Sequence, residues 1–308
     1  MRYRPLGTTG LKVSEISLGT VELGMDYGFQ GTGHYRKPDE RSAIALIHQA
    51  IDEGINLIDT APVYGNSEEL IGKALKGRGS RPYIATKVTI PEHRNREQDI
   101  PTAISRSIDA SLKALQVDVI DLLQIHNMTM EMLDRGEVVG LLERARRQGK
   151  ICLIGASIYE EDISLRAIDD QRIHSVQVPF NLLNQEMAKR IFPGAANRGI
   201  GVLARSAFLR GLLTSQIDQA PDAMALLKAT ALAALEEMKG EVSNLSEAAL
   251  RFCLSVPNIS TILIGTRSGD ELTSNLAAAD KGALAPGWLE RLRKYSVERE
   301  PLANPANW

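Results

Sequence analysis

Val119-Ile120-Asp121-Leu122-Leu123-Gln124-Ile125 decides the fold: the run is almost continuously apolar and too short to be a helix. Strands read this way when they lie in a parallel sheet covered on both faces. Thr261-Ile262-Leu263-Ile264 has the same character. Outward from these two runs, strand-like and helix-like segments alternate. Strands are predicted at 13–18, 55–59, 82–87, 118–125, 150–156, 174–179, 200–205 and 260–264, with helices at 41–53, 67–75, 101–115, 137–148, 161–169, 185–198, 245–256 and 270–279. The second helix is entered through Ser67 with Glu68 and Glu69 in its first turn, as an N-terminus favours. Eight βα units fit an α/β fold of the (β/α)8 TIM-barrel type over residues 1–308 as one domain. No Gly-x-Gly-x-x-Gly follows the first strand, which argues against a doubly wound dinucleotide fold. Two long connections, about 21–40 and 206–244, follow strands and so fall at the C-terminal face, where they are expected to act as lids or specificity loops.

Composition narrows the class. Hydrophobic residues make up 44% and charged residues 24% of 308, enough for a full core. The 36 basic and 38 acidic side chains nearly cancel, leaving a net charge of −2, which argues against nucleic-acid or membrane-surface binding. Cys152 and Cys253 are too few for a disulfide framework and are expected to be buried thiols. The N-terminus has no apolar signal core and no stretch is long enough to span a bilayer, so the expected location is cytoplasmic.

Three consecutive strands deliver chemistry to one rim. The second ends at Asp59, with Tyr64 in the loop behind it; the third ends at Lys87; the fourth ends at His126. Each alone has a bland reading as a cap, a solvated cation, a packed ring or a rim imidazole. Four such groups at matching positions of adjacent strands favour a catalytic cluster. A free phenol, with a pKa near ~10, is a poor acid at neutral pH and becomes useful beside a cation that favours phenolate. Lys87 is that cation, and Asp59 keeps it charged. Tyr64 can then exchange a proton with a carbonyl oxygen that His126 orients.

At these residues the chain resembles the aldo-keto reductase superfamily, in its bacterial branches. The matching segments are Gly54-Ile55-Asn56-Leu57-Ile58-Asp59-Thr60-Ala61-Pro62-Val63-Tyr64-Gly65, Ile84-Ala85-Thr86-Lys87, Leu122-Leu123-Gln124-Ile125-His126 and the opening Arg4-Pro5-Leu6-Gly7-Thr8-Thr9-Gly10-Leu11-Lys12-Val13-Ser14. The resemblance implies an oxidoreductase of the alcohol-dehydrogenase type with Asp59, Tyr64, Lys87 and His126 as its tetrad. It also implies an extended nicotinamide cofactor across the barrel mouth. Matching positions suggest Gly19 and Thr20 near the nicotinamide ribose and Ser157 and Gln177 at the carboxamide, with Asn181 close by. Arg205 takes the ring-stacking position, for which a guanidinium plane is suited. Ser206, Phe208 and Gly211 belong to the turn expected at the pyrophosphate. Gly265, Thr266, Arg267, Ser268, Glu271 and Asn275 match the adenosine-phosphate segment, at a helix start that favours anions. The sequence departs from the family pattern at Ile158, where many relatives have asparagine, at Gly265, where lysine is frequent, and at Glu271, where arginine is frequent. The superfamily's habit favours NADP(H); the two departures at the adenosine end leave NAD(H) open.

The substrate is expected to be a small carbonyl compound, an aldehyde, ketone or sugar, in a pocket using Val21, Met25, Tyr27 and Phe208, with the tail 304–308 as a further candidate. Two other classes compete. One is a Schiff-base lyase through Lys87, which the expected ion pair with Asp59 disfavours. The other is a nicotinamide-binding subunit without turnover, which the intact tetrad disfavours. His34, His48, His93, His126 and His174 show no metal-ligand spacing.

Overall fold

The apolar run that opened the reading forms a strand whose residues alternate between two separate cores. In the computed structural model, which describes residues 1–29, 36–90 and 100–297, the chain starts with an antiparallel hairpin, β1 (Tyr3–Pro5) and β2 (Lys12–Ser14). Then follow β3 (Ile16–Gly19), the single turn α1 (Val21–Gly24), α2 (Glu40–Asp52), β4 (Leu57–Asp59), α3 (Ser67–Leu75) and β5 (Tyr83–Thr89). The middle of the chain supplies α4 (Ile100–Leu115), β6 (Ile120–His126), α5 (Met130–Arg135), α6 (Glu137–Arg147) and β7 (Ile151–Ser157). The remainder supplies α7 (Glu161–Ile168), β8 (Ser175–Pro179), α8 (Met187–Asn197) and β9 (Gly201–Arg205). It ends with α9 (Ala225–Glu237), α10 (Leu245–Ser255), β10 (Thr261–Ile264), α11 (Gly269–Asp280) and α12 (Trp288–Leu292).

Strands β3 to β10 close into a barrel in the order β10-β3-β4-β5-β6-β7-β8-β9, every neighbour parallel. Leu57, Ala85, Leu122, Leu153, Leu203 and Leu263 form the inner core with Leu6 and Val13 of the N-terminal hairpin. Their strand neighbours, such as Ile58, Ile84, Leu123 and Ile154, pack outward against the helices. Because the side-chain period of a strand is two, a strand wanted on both faces must be apolar throughout.

Three expectations change. The run 13–18 is two strands, not one. At Glu15, between them, the carboxylate accepts from Arg2 Nε at 2.8 Å and Arg4 Nε at 2.9 Å, and the chain passes from the hairpin into the barrel. The connection 206–244 contains α9, which shows no apolar face because small and apolar residues surround its axis. Cys253 is buried as expected, but Cys152, the second residue of β7, is exposed. Among the described residues, no helix is long and apolar enough to cross a membrane.

Candidate active site

Parallel strands put all their C-terminal ends at one mouth, and the polar residues cluster there. Asp59 is the last residue of β4, Lys87 lies in β5, and His126 is the last residue of β6. The β5 ladder runs on past Lys87 to Thr89, which pairs with His126, while Lys87 itself pairs with Gln124. Tyr64 rides on the turn after β4, closed by its own N–H to Ala61 O at 3.0 Å and by Ser67 N–H to Tyr64 O at 3.2 Å.

Asp59 is the hub. Its Oδ2 accepts from Lys87 Nζ at 2.5 Å, and its Oδ1 accepts from Gln124 Nε2 at 2.8 Å and Gln177 Nε2 at 2.7 Å. Lys87 also donates to Thr60 O at 2.9 Å, and its side chain is 0% exposed. Burial by itself pushes the ammonium down. The Asp59 carboxylate and Tyr64 outweigh that, so the Lys87 pKa is raised. An uncompensated charge at this depth would cost several kcal/mol, roughly. Nζ stands 4.8 Å from the centre of the Tyr64 ring, and the His126 ring meets that ring edge-on at 6.1 Å between centroids. Burial, then Lys87 and Arg205, push His126 down to about 3, so its imidazole is neutral at physiological pH. The four groups expected from sequence are thus in one cluster. Gln124 is a fifth member, given no role from sequence. Its signal was legible, since a buried amide inside an otherwise apolar strand needs a polar partner.

Asp59, Tyr64, His126 and Gln177 of this cluster line a cleft at the barrel mouth. Gly19, Thr20, Val21, Tyr27, Ser157, Gln177, Arg205, Ser206, Phe208, Gly211 and Gly265 all line it. Met25 does not: it is 38% exposed and stands outside the lining. Thr20 is tied into the frame, donating to Asp59 O at 3.0 Å and bonded to Ser67 Oγ at 2.6 Å. The Gln177 amide nitrogen is committed inward to Asp59 and to Gln124 Oε1 at 3.0 Å, so a carboxamide there would be met by its oxygen. The Arg205 guanidinium lies 3.9 Å over the ring of Tyr159, a lining residue not singled out from sequence, which leaves the other face for stacking. Asn181 is fully buried and lies outside the cleft; its amide donates to Ser206 O at 3.2 Å and holds that turn. His34, His93 and the tail 304–308 lie outside the described residues.

A second cleft of about 870 Å³ shares Glu22, Phe208, Arg210, Gly211 and Gly265 with the first, so the two form one groove across the barrel mouth. Where they meet, Ser206, Leu209, Arg210 and Gly211 have φ of 64°, 46°, 53° and 105°. Left-handed backbone at three non-glycine residues is strained, and such clusters mark binding turns. Arg210 Nε donates to Tyr27 Oη at 3.0 Å, which links this turn to the loop after β3. The far end of the groove is lined by Arg267, Glu271 and Asn275. There Glu271 Oε2 accepts from Arg267 N–H at 2.8 Å and Thr266 Oγ at 3.1 Å, while Ser268 Oγ caps Glu271 N at 3.2 Å. The Arg267 guanidinium donates to Tyr27 O at 2.6 Å and stands 3.5 Å from Glu22 Oε2. Burial, opposed by Arg267 and reinforced by Glu271, pushes Glu22 up to about 7. Glu22 is not singled out by any sequence pattern. Two donors expected at a 2′-phosphate, the Thr266 hydroxyl and the Arg267 backbone N–H, are therefore already bonded to Glu271.

The family model "Aldo/keto reductase family" matches residues 15–295. The chain is 35% identical to aldo-keto reductase YhdN of Bacillus subtilis (strain 168) over 71% of its length and 66% of that protein's. It is 29% identical to L-galactose dehydrogenase of Arabidopsis thaliana over 99% of this chain and 96% of that one. The holo form of aldo-keto reductase AKR11C1 from Bacillus halodurans superposes with a TM-score of 0.81 at 27% identity, covering 97% of both chains. The chain belongs to the aldo/keto reductase family, whose members are nicotinamide-dependent oxidoreductases.

Proposed function

We propose that the chain interconverts a carbonyl compound, an aldehyde, ketone or sugar, and its alcohol, with Tyr64 as the general acid and base. The observation that carries this is the juxtaposition of Tyr64 with a buried, carboxylate-locked Lys87 and a neutral His126 at the floor of the groove. A bound nicotinamide dinucleotide supplies the hydride. The residues present suit such a ligand: Ser157, Gln177 and Arg205 for the ring end, the left-handed turn at 206–211 for the pyrophosphate, and Asn275 for the adenine. The resemblance favours NADP(H) at the 2′ position, whereas the carboxylates there argue for NAD(H).

Each member of the cluster then has a task. His126 donates one N–H to the carbonyl oxygen and orients it. Tyr64 gives its proton to that oxygen during reduction and takes it back during oxidation. Lys87 stabilises the negative charge that develops on the phenol oxygen. Asp59 keeps Lys87 charged, and Gln124 and Gln177 hold Asp59 in place. Val21, Tyr27 and Phe208 form the substrate wall. The Arabidopsis relative's name, L-galactose dehydrogenase, makes aldoses the first substrates to try. The same ion pair disfavours a Schiff-base reaction, because an ammonium held by Asp59 and Thr60 has no lone pair to attack with.

The test follows the absorbance of reduced nicotinamide with NADH and NADPH across aldehydes, ketoses and aldoses. Tyr64→Phe is expected to lose about 10²–10⁴-fold in turnover while keeping its affinity for the dinucleotide. Turnover close to wild type in that variant refutes the role given to Tyr64.

A further inference from the structure

NAD(H) and NADP(H) differ only at the adenosine ribose, where one has a hydroxyl and the other a phosphate of nearly two negative charges. The second cleft is lined by three acidic side chains, Glu22 where it meets the first cleft and Asp270 and Glu271 beyond, against the two guanidiniums of Arg210 and Arg267. Two of the donors there are already engaged by an acidic side chain. The Arg267 N–H and the Thr266 hydroxyl both point to one oxygen, Glu271 Oε2. The Arg267 guanidinium is turned to Tyr27 O and lies beside Glu22. Glu22 in turn rests against the backbone of Gly265: a Cβ at that residue would stand 2.6 Å from Glu22 Oε1. The carboxylate thus fills the space that a side chain at 265 would use.

A phosphate entering this end would have to break both bonds to Glu271 and then sit beside the displaced Glu271 carboxylate. Like charges a few ångströms apart are costly where water is partly excluded. A ribose hydroxyl faces no such conflict, because it can donate to a carboxylate oxygen without displacing it. We propose that Glu271, supported by Glu22, makes this chain selective for NAD(H) by occupying the 2′-phosphate position with the chain's own anion. The inference rests on the proposed function above and adds to it the identity of the dinucleotide.

Binding, not turnover, tests it. The full chain is titrated with NADH and with NADPH, read by nicotinamide fluorescence, as wild type, Glu271→Gln and Glu22→Gln. Wild type is expected to bind NADH at least about tenfold more tightly than NADPH. Glu271→Gln keeps an oxygen to accept from Thr266 and Arg267 but loses the charge. It is expected to narrow the ratio by about tenfold, mostly by tightening NADPH, with a smaller change of the same sign for Glu22→Gln. Displacement of NADH by adenosine 5′-monophosphate, but poorly by adenosine 2′,5′-bisphosphate, is expected from wild type without any variant. Equal or tighter binding of NADPH by wild type, or a ratio that neither variant moves, overturns the inference. If NADPH binds better and turnover persists, the proposed function stands and only the selectivity falls. If neither dinucleotide binds, both fall.

Discussion

Lys87 shows how one side chain's charge depends on its neighbours. Alone at that depth it would lose its proton; with Asp59 at 2.5 Å it keeps it, and the charge is available to Tyr64. His126 has no such partner, and Lys87 and Arg205 add to the effect of burial, so it is held neutral. The linkage has a definite sign. A histidine whose folded pKa, about 3, lies below its unfolded value near 6.5 leaves the unfolded chain binding more protons between the two. That contribution is neutral above the unfolded value, and destabilisation grows as pH falls towards the folded one. Relative to wild type, His126→Asn is therefore expected to gain stability on acidification, by on the order of 2 kcal/mol between pH 6.5 and 5, measured by urea unfolding at each pH. A constant difference between the two chains across that range contradicts the assignment.

At the scale of elements, Tyr64 is placed by packing between two loops. The single turn α1 lies against the turn that carries Tyr64, and Gly24 is the contact: a Cβ there would fall 1.8 Å from Tyr64 O and 2.8 Å from Ser67 Cβ. No alanine fits without moving the Tyr64 turn. Gly24→Ala is expected to lower turnover by about 10²-fold or more, the scale of a displacement of about an ångström, while circular dichroism still reports a folded barrel. Undiminished turnover would mean that the two loops do not fix Tyr64. The helix α11 uses its start differently from a simple capping pair. Ser268 caps Glu271 N, but the Glu271 side chain reaches past the cap to Arg267 N–H and the Thr266 hydroxyl.

For the whole molecule, the N-terminal hairpin closes the barrel end opposite the site. Leu6 and Val13 complete the inner core, and Arg4 ties the hairpin to Leu254 O and Ile259 O. Glu15, 9% exposed at its side chain, holds Arg2 and Arg4 together. Glu15→Ala is expected to cost about 3 kcal/mol in unfolding free energy, because it leaves a partly buried arginine without its carboxylate, and to leave KM unchanged. A stability loss below about 0.5 kcal/mol would show that the hairpin is held by its apolar contacts instead. The alternation of elements was legible along the chain because each parallel strand needs an apolar run and each helix an apolar face. What escaped had no such pattern: the end of β2 and most of β3 share one alternating run, and α9 carries apolar residues all round its axis, so no one face stands out. Asp59, Tyr64, Lys87 and His126 were legible for a related reason, since a strand's end in a parallel barrel is a position in space as well as in sequence. By itself the sequence determined the closed barrel and the residues that its mouth collects. Only the tertiary structure decided what those residues bond to. That Gln124 and Gln177 share Asp59, that Tyr159 takes one face of Arg205, and that Glu22 meets the Arg267 side chain while Glu271 meets its backbone all depend on how segments of the chain are brought together. Such contacts follow from side-chain packing in three dimensions, and no local period in the sequence encodes them.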